Sequence, residues 1–210
     1  LQAVRFWDAN TGYTTAPLYN GSNFCIHKTT NAGQNWSDQN SGFTAMRFMA
    51  IWIVHPDTVY MSGNFGRIIK TVNGGANWLL LNTNDTVTQF WGLQFVNSLT
   101  GYTAGSTGKI IKTTDAGATW VVQNTGVQNL FASIHFRNET TGYISGGSLI
   151  VKTTNGGTIW TSLSAPYISF ETIRDIAFID DMTGIAVSDA GRILKTTNAG
   201  TTWVSQSFPG

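Results

Sequence analysis

Hydrophobic and polar residues alternate with a period of two along short stretches that recur at near-even intervals. The pairs Val4/Phe6, Ile51/Ile53, Leu93/Phe95, Ile134/Phe136 and Ile176/Phe178 each put two apolar side chains on one face of a predicted strand. The column between them is small, running Ala3, Ala50, Gly92 and Ser133, with Asp175 as the exception. Small side chains suit a strand that lies innermost, where several sheets converge on an axis and space is shortest. No stretch carries the long 3.6-residue periodicity of a helical repeat, and 23 glycines work against one.

Downstream of these stretches, Lys28 to Trp36, Lys70 to Trp78, Lys112 to Trp120, Lys152 to Trp160 and Lys195 to Trp203 align without gaps as Lys-Thr-Thr-Asn-x-Gly-x-x-Trp. Their tryptophans are 42, 42, 40 and 43 residues apart, a period that suits a four-stranded blade. A second pattern precedes four of them: Phe6 with Thr11-Gly12-Tyr13, Phe95 with Thr100-Gly101-Tyr102, Phe136 with Thr141-Gly142-Tyr143, and Phe178 with Thr183-Gly184-Ile185. The second repeat has a shorter version containing Pro56. Each repeat predicts a first strand ending at the Phe, a second from the Gly-Tyr, a third ending at the Lys-Thr and a fourth opening at the Trp. The expected fold is an all-β, five-bladed β-propeller of four-stranded antiparallel blades. It forms one domain over residues 1–210, with blades near 1–42, 43–84, 85–126, 127–166 and 167–210.

The hairpin chemistry follows from its residue types. Asn31, Asn73, Asp115, Asn155 and Asn198 can accept hydrogen bonds from backbone N–H groups of their own turns, and the glycine two residues on supplies a left-handed position. Trp36, Trp78, Trp120, Trp160 and Trp203 then bury an indole against the sheet. A motif repeated in every blade maintains the blade, so these ten residues read as scaffold rather than as calcium ligands or catalytic groups. The hairpin resembles the Asp-box, or BNR repeat, of bacterial sialidases, sortilin-type receptors and xyloglucanases. With the flanking Thr-Gly-Tyr and Ile-x-Lys-Thr it is most similar to the repeats of photosystem II stability and assembly factor-like proteins. The resemblance spans essentially the whole chain and implies a propeller.

Composition narrows the function classes. Charged residues make up 11% of the chain, and 12 basic and 11 acidic side chains give a net charge of +1, so no footprint for nucleic acid or an anionic membrane exists. The single Cys25 excludes an internal disulfide and reads as a small strand hydrophobe, and no Cys/His cluster has metal-ligand spacing; neither a metal nor a cofactor is expected. No run is long and apolar enough for a membrane helix. The low charge and the Thr/Asn/Gly-rich composition point to a secreted or envelope-associated bacterial protein, either a monomer or part of a larger exported one.

Sialidase chemistry finds no Arg-Ile-Pro segment here, and no Ser or Cys nucleophile sits in a recognisable elbow. A glycoside hydrolase needs two opposed carboxylates, and the candidates are Asp175 and Glu171 in blade five, near Arg174 and Asp189. Ring closure would make blades five and one neighbours and would pair Asp175 with Arg5 instead. The leading expectation is a non-enzymatic binding or assembly module for a protein or glycan. Its ligand contacts fall on the face shared by the second-to-third and fourth-to-first strand connections, the latter of which differ between blades while the hairpins repeat. Trp91, Tyr167 and Tyr19 are the expected stacking residues, with Arg47 and Arg174 at the rim, while most of the loop phenylalanines Phe24, Phe43, Phe65, Phe90, Phe131 and Phe170 plug the space between blades.

Overall fold

The alternating stretches form twenty strands in a computed structural model of the protein, which describes residues 2–16, 26–43, 46–163 and 171–206. Cys25, Tyr19, Phe24, Tyr167 and Phe170 lie outside the described residues. Blade one comprises β1 (Ala3–Phe6), β2 (Gly12–Thr15), β3 (Ile26–Thr29) and β4 (Ser37–Gln39); blade two comprises β5 (Phe48–His55), β6 (Thr58–Gly63), β7 (Ile68–Thr71) and β8 (Leu79–Leu81). Blade three holds β9 (Phe90–Phe95), β10 (Gly101–Gly105), β11 (Ile110–Thr113) and β12 (Val121–Gln123), and blade four holds β13 (Ser133–Phe136), β14 (Gly142–Gly146), β15 (Leu149–Thr153) and β16 (Thr161–Leu163). Blade five follows with β17 (Ile173–Phe178), β18 (Gly184–Ser188), β19 (Ile193–Thr196) and β20 (Val204–Gln206). Every sheet is an antiparallel meander in sequence order, which makes the molecule a five-bladed β-propeller. The fourth strands open one residue after the tryptophan, because the indole turns inward onto its own blade.

Two local devices shape blades one, three, four and five. Asp8, Asn97, Asn138 and Asp180 each accept two backbone N–H groups across the first-to-second strand turn, as Asp8 does from Asn10 and Thr11 at 2.8 and 2.6 Å. In blade two β5 runs on to His55, which pairs with Thr58 across the tight Pro56-Asp57 connection. The glycine of Thr-Gly-Tyr is required because the Phe ring of the facing strand lies over it. A Cβ at Gly101 would sit 2.7 Å from Phe95, and one at Gly142 2.6 Å from Phe136.

The last three junctions share one full set of contacts, and the first, where the Tyr13 hydroxyl has no partner among the described residues, shares it in part. The first and second strands of a blade pack on the first strand of the next. Tyr60, Tyr102 and Tyr143, all fully buried, stack on Phe95, Phe136 and Phe178 of the following blade at 3.9–4.0 Å between ring centres. Burial pushes these phenols up to about 12. Their hydroxyls donate to the carbonyls of Ala116, Gly156 and Ala199 in the next hairpin at 2.9–3.0 Å, and Lys70, Lys112 and Lys152 donate to the same three oxygens at 2.8–3.1 Å. Lys28 reaches Gly74 in the same way at 2.8 Å.

The buried side chains form four apolar clusters, one at each junction from blade one to blade five. Among the described residues no comparable strand packing joins blade five to blade one. The pairing of Asp175 with Arg5 therefore does not occur. The Arg5 guanidinium stacks over Trp52 of blade two at 3.5 Å, and Asp175 accepts from the Ser133 hydroxyl of blade four at 2.6 Å. Between blades three and four Gln94 clamps the backbone of Phe136 through both ends of its amide, at 2.7 and 2.9 Å. His135 does likewise, its Nε2 accepting from the Phe178 N–H at 3.2 Å; burial lowers its pKa, which suits the neutral acceptor.

Candidate functional site

The Asn/Asp and Thr side chains of the repeated hairpins are engaged in holding their own turns. In each, the side-chain oxygen of Asn31, Asn73, Asp115, Asn155 or Asn198 accepts the N–H four residues on at 2.8–2.9 Å. A threonine two residues earlier completes the turn: Thr29, Thr71, Thr113, Thr153 and Thr196 donate to that oxygen and accept from the glycine N–H at 2.8–3.0 Å. The backbone is left-handed not only at the glycine but at the residue before it, as at Ala116 (φ 58°) and Gly117 (φ 87°). The threonine and the second left-handed residue carry no sign in the alternation pattern, although their repetition in all five blades was the available signal. Trp120, Trp160 and Trp203 are buried and meet Phe95, Phe136 and Phe178 edge-on.

The other loop face is built from second-to-third strand turns and fourth-to-first strand connections, and blade two is its unusual member. Its turn runs Gly63-Asn64-Phe65-Gly66-Arg67 and is pinned from both sides. The Arg47 N–H donates to the Asn64 side chain at 2.9 Å and the Asn64 N–H to the Arg47 carbonyl at 3.1 Å, while the Gly66 N–H reaches the Thr88 carbonyl at 2.6 Å. Side chains are barred at two of these positions: a Cβ on Gly63 would lie 1.9 Å from the Arg47 carbonyl, and one on Gly66 would lie 2.4 Å from the Asp85 carbonyl.

Phe65 sits at the tip with a left-handed backbone (φ 58°), which costs a bulky residue roughly 1–3 kcal/mol, and its ring is 50% exposed. It is therefore not the plug between blades that the sequence suggested; Phe90 and Phe131 are buried as expected. The Arg67 guanidinium lies 5.6 Å from the Phe65 ring centre, and the two open onto a cleft of about 440 Å³ lined also by Leu80, Thr83, Asp85 and Thr86. Blades three and five carry Thr107-Gly108 and Ala190-Gly191 where blade two has Phe65-Gly66, and that contrast was the sequence signal for this site.

The charges on this face are uneven. Asp85 is buried and binds Lys109 at 2.6 Å; desolvation opposes its ionisation, but Lys109 and Thr88 outweigh it and hold the carboxyl well below the usual range. Arg174 pairs with Asp189 at 3.1 Å and Arg192 with Glu171 at 2.8 Å. Arg47 and Arg67, both in blade two, have no carboxylate within 4.0 Å among the described residues. The structure thus brings Arg47 to the same turn as Phe65 and Arg67, and places Arg174 on blade five. Trp91 is half-buried in β9, beside the register shift opposite Gly105.

A family model described as photosynthesis system II assembly factor YCF48 matches residues 77–208. The chain belongs to the YCF48 family. No curated protein matches it. It is similar in fold to a YCF48 structure bound to D1 peptide (14% identity, TM-score 0.64, covering 97% of this chain and 79% of that one). It is also similar to YCF48 from Cyanidioschyzon merolae (17% identity, TM-score 0.66, covering 86% and 66%). An ancestral GH74 enzyme superposes with a TM-score of 0.79 at 16% identity, over 98% of this chain but only 31% of the enzyme's.

In this YCF48-family chain the carboxylates of blade five are already engaged. Glu171 accepts from Arg192 at 2.8 and 3.2 Å and from Ser188 at 2.8 Å, and these bonds hold its carboxyl below the usual range. A carboxyl held ionised in this way is poorly suited to be the protonated acid of glycoside hydrolysis. Asp175 is committed to Ser133 and to the Ile176 N–H. Among the described residues no group of three His, Cys, Asp or Glu side chains could hold a metal ion.

Proposed function

We propose that this YCF48-family propeller is a peptide-binding module that takes an extended segment of a partner protein on the loop face of blade two. The segment carries an aromatic or large aliphatic side chain next to a carboxylate. The observation that supports this reading is Phe65, held in a strained and exposed conformation with the Arg67 guanidinium, which has no carboxylate partner among the described residues, 5.6 Å from its ring centre. Phe65 and Leu80 offer the apolar wall of the cleft and Arg67 offers a planar donor for a carboxylate, while Arg47, whose backbone pins the same turn, is a second candidate donor at the rim. The YCF48 structure solved with a D1 peptide supports a peptide as the ligand class. Trp91 and Arg174 are further candidates for contacts with a longer peptide. The low charge and polar composition support an extracytoplasmic site of action.

Short fluorescein-labelled peptides with an aromatic residue beside a free carboxylate, compared with their amidated counterparts, test this by fluorescence anisotropy. Phe65→Ala and Arg67→Ser should each weaken binding by about 1–3 kcal/mol, and added salt should weaken it further in the wild type than in Arg67→Ser. Equal binding of acid and amide, or affinity unchanged in both variants, would refute the proposal.

A further inference from the structure

In three blades the residue just before the third strand is a cation: Arg67 before β7, Lys109 before β11 and Arg192 before β19. Two of them grip the connection that leads into their own blade. Lys109 binds Asp85, within residues 82–89, at 2.6 Å, and Arg192 binds Glu171, just before β17, at 2.8 Å. The connection into blade two, residues 40–47, contains neither Asp nor Glu, so Arg67 lacks the carboxylate that its equivalents have. One repeat position thus ties down a loop in blades three and five and does not do so in blade two.

The connection that Lys109 grips is also the one that holds the Phe65 tip. Asp85 sits at its centre with the side chain fully buried, accepting from the Val87 and Thr88 N–H groups at 2.8 Å and from the Thr88 hydroxyl at 2.6 Å. The Thr88 carbonyl takes the Gly66 N–H, and the Thr83 hydroxyl donates to the Gly66 carbonyl, both at 2.6 Å. Both backbone groups of Gly66 are therefore held by residues flanking Asp85. The end of the connection is fixed to blade three, where the Gln89 N–H donates to the Ser106 hydroxyl and the Ser106 N–H to the Gln89 carbonyl, both at 3.0 Å. A left-handed phenylalanine persists only where its surroundings over-determine it, and at Phe65 these bonds act together with those between Asn64 and Arg47. Among the described residues no cation other than Lys109 lies within 4.0 Å of Asp85. Without it the connection would carry a buried carboxylate with no counter-charge, which is strongly unfavourable.

We propose that Lys109 of blade three is a positioning residue for the cleft of blade two, acting through Asp85 and its connection to hold the Phe65-Gly66 tip in the binding conformation, a role that rests on reading that cleft as a peptide site. Holding the tip in advance removes an ordering cost that the peptide would otherwise meet on binding. Lys109 also neutralises a carboxylate that lines the cleft and would repel the ligand's own. Because Asp85 engages Lys109, Arg67 remains the cation presented to the ligand.

Two variants test this. Lys109→Met keeps the aliphatic stem and strips Asp85 of its cation, whereas Lys109→Met combined with Asp85→Asn removes both charges and leaves no buried charge unpaired. In both, amide exchange at Gly66 and Arg67 in the peptide-free protein should rise about ten-fold while β6 and β9 stay protected. A fluorescein-labelled peptide with an aromatic residue beside a free carboxylate should bind both about ten-fold more weakly. In the doubly substituted protein the salt dependence of that binding should match the wild type, because Arg67 still meets the carboxylate. Lys109→Arg should restore both tip exchange and affinity. Exchange at Gly66 and Arg67 unchanged in both variants, with the wild type binding the peptide, would overturn the role of Lys109 and leave the peptide site standing. Exchange that rises equally in β6 and β9 would make Lys109 a purely structural residue and would overturn the role as well. A tip that loosens as expected, in a protein whose wild type does not bind the peptide, would refute the peptide reading and with it any part of Lys109 in binding.

Discussion

Phe6 with Trp36 in blade one and Phe136 with Trp160 in blade four are the same pair of residues at the same repeat positions. Their rings meet at 6.0 Å in both cases, at 80° and 88°. One pair is open to solvent and the other is buried, because blade four has Tyr102 stacked on Phe136 and blade one has no equivalent among the described residues. The repeat therefore specifies the hairpin and its aromatic contact locally, while burial, and the stability that follows from it, is conferred by the neighbouring blade. Nearest-neighbour coupling of this kind is the expected energetics of a repeat protein.

Removing the indole on each side of that comparison gives the largest contrast. Trp160→Ala should cost about 3–5 kcal/mol, as for a buried large aromatic, and Trp36→Ala about 1 kcal/mol, both read from urea unfolding. Equal costs would mean that the hairpin and not the neighbour sets the stability.

The phenol of the junction gives a smaller effect. Tyr102→Phe keeps the stack on Phe136 but removes the donor to Gly156, leaving Lys112 on that carbonyl, and should cost about 1 kcal/mol. At the matching position of blade five, Ile185→Ala should cost less than about 0.5 kcal/mol in the 210-residue chain, because no following blade covers it there.

The smallest effect separates blade three from the others by pH. Asp115 is the one hairpin carboxylate among five equivalent positions, and hydrogen bonds from Thr119 above all, then from Thr113, lower its pKa to about 2. Its folded value is below that of an unfolded Asp near 3.9, so its contribution is present above about pH 4 and is lost as pH falls toward 2. Asp115→Asn should flatten the pH dependence of stability across that window. An identical slope in both proteins would show that Asp115 does not differ from the four asparagines.

The blades and hairpins were legible in the sequence because their determinants are local. Alternation at Leu93/Phe95 and the nine-residue signature are complete within one repeat. The junctions were not legible, because Tyr102 and Gly156 or Gln94 and Phe136 meet across tens of residues, and nothing in a single repeat says which side chain faces forward. The same gap explains the mistaken pairing of Arg5 with Asp175, which assumed that blade five packs on blade one. Phe65 was misread for a different reason: a phenylalanine in a turn resembles a plug unless its neighbour Gly66 signals a left-handed tip that points it outward.

The central claim is that the repeated hairpins are scaffold and that recognition belongs to the irregular loop face of blade two. Amide hydrogen exchange, measured with and without a carboxylate-bearing aromatic peptide at saturation, tests it most directly. The account predicts new protection at Asn64 to Arg67 and around Arg47, with the five Lys-Thr-Thr-Asn hairpins unchanged. Protection that appears in the hairpins while residues 64–67 exchange as before would contradict it.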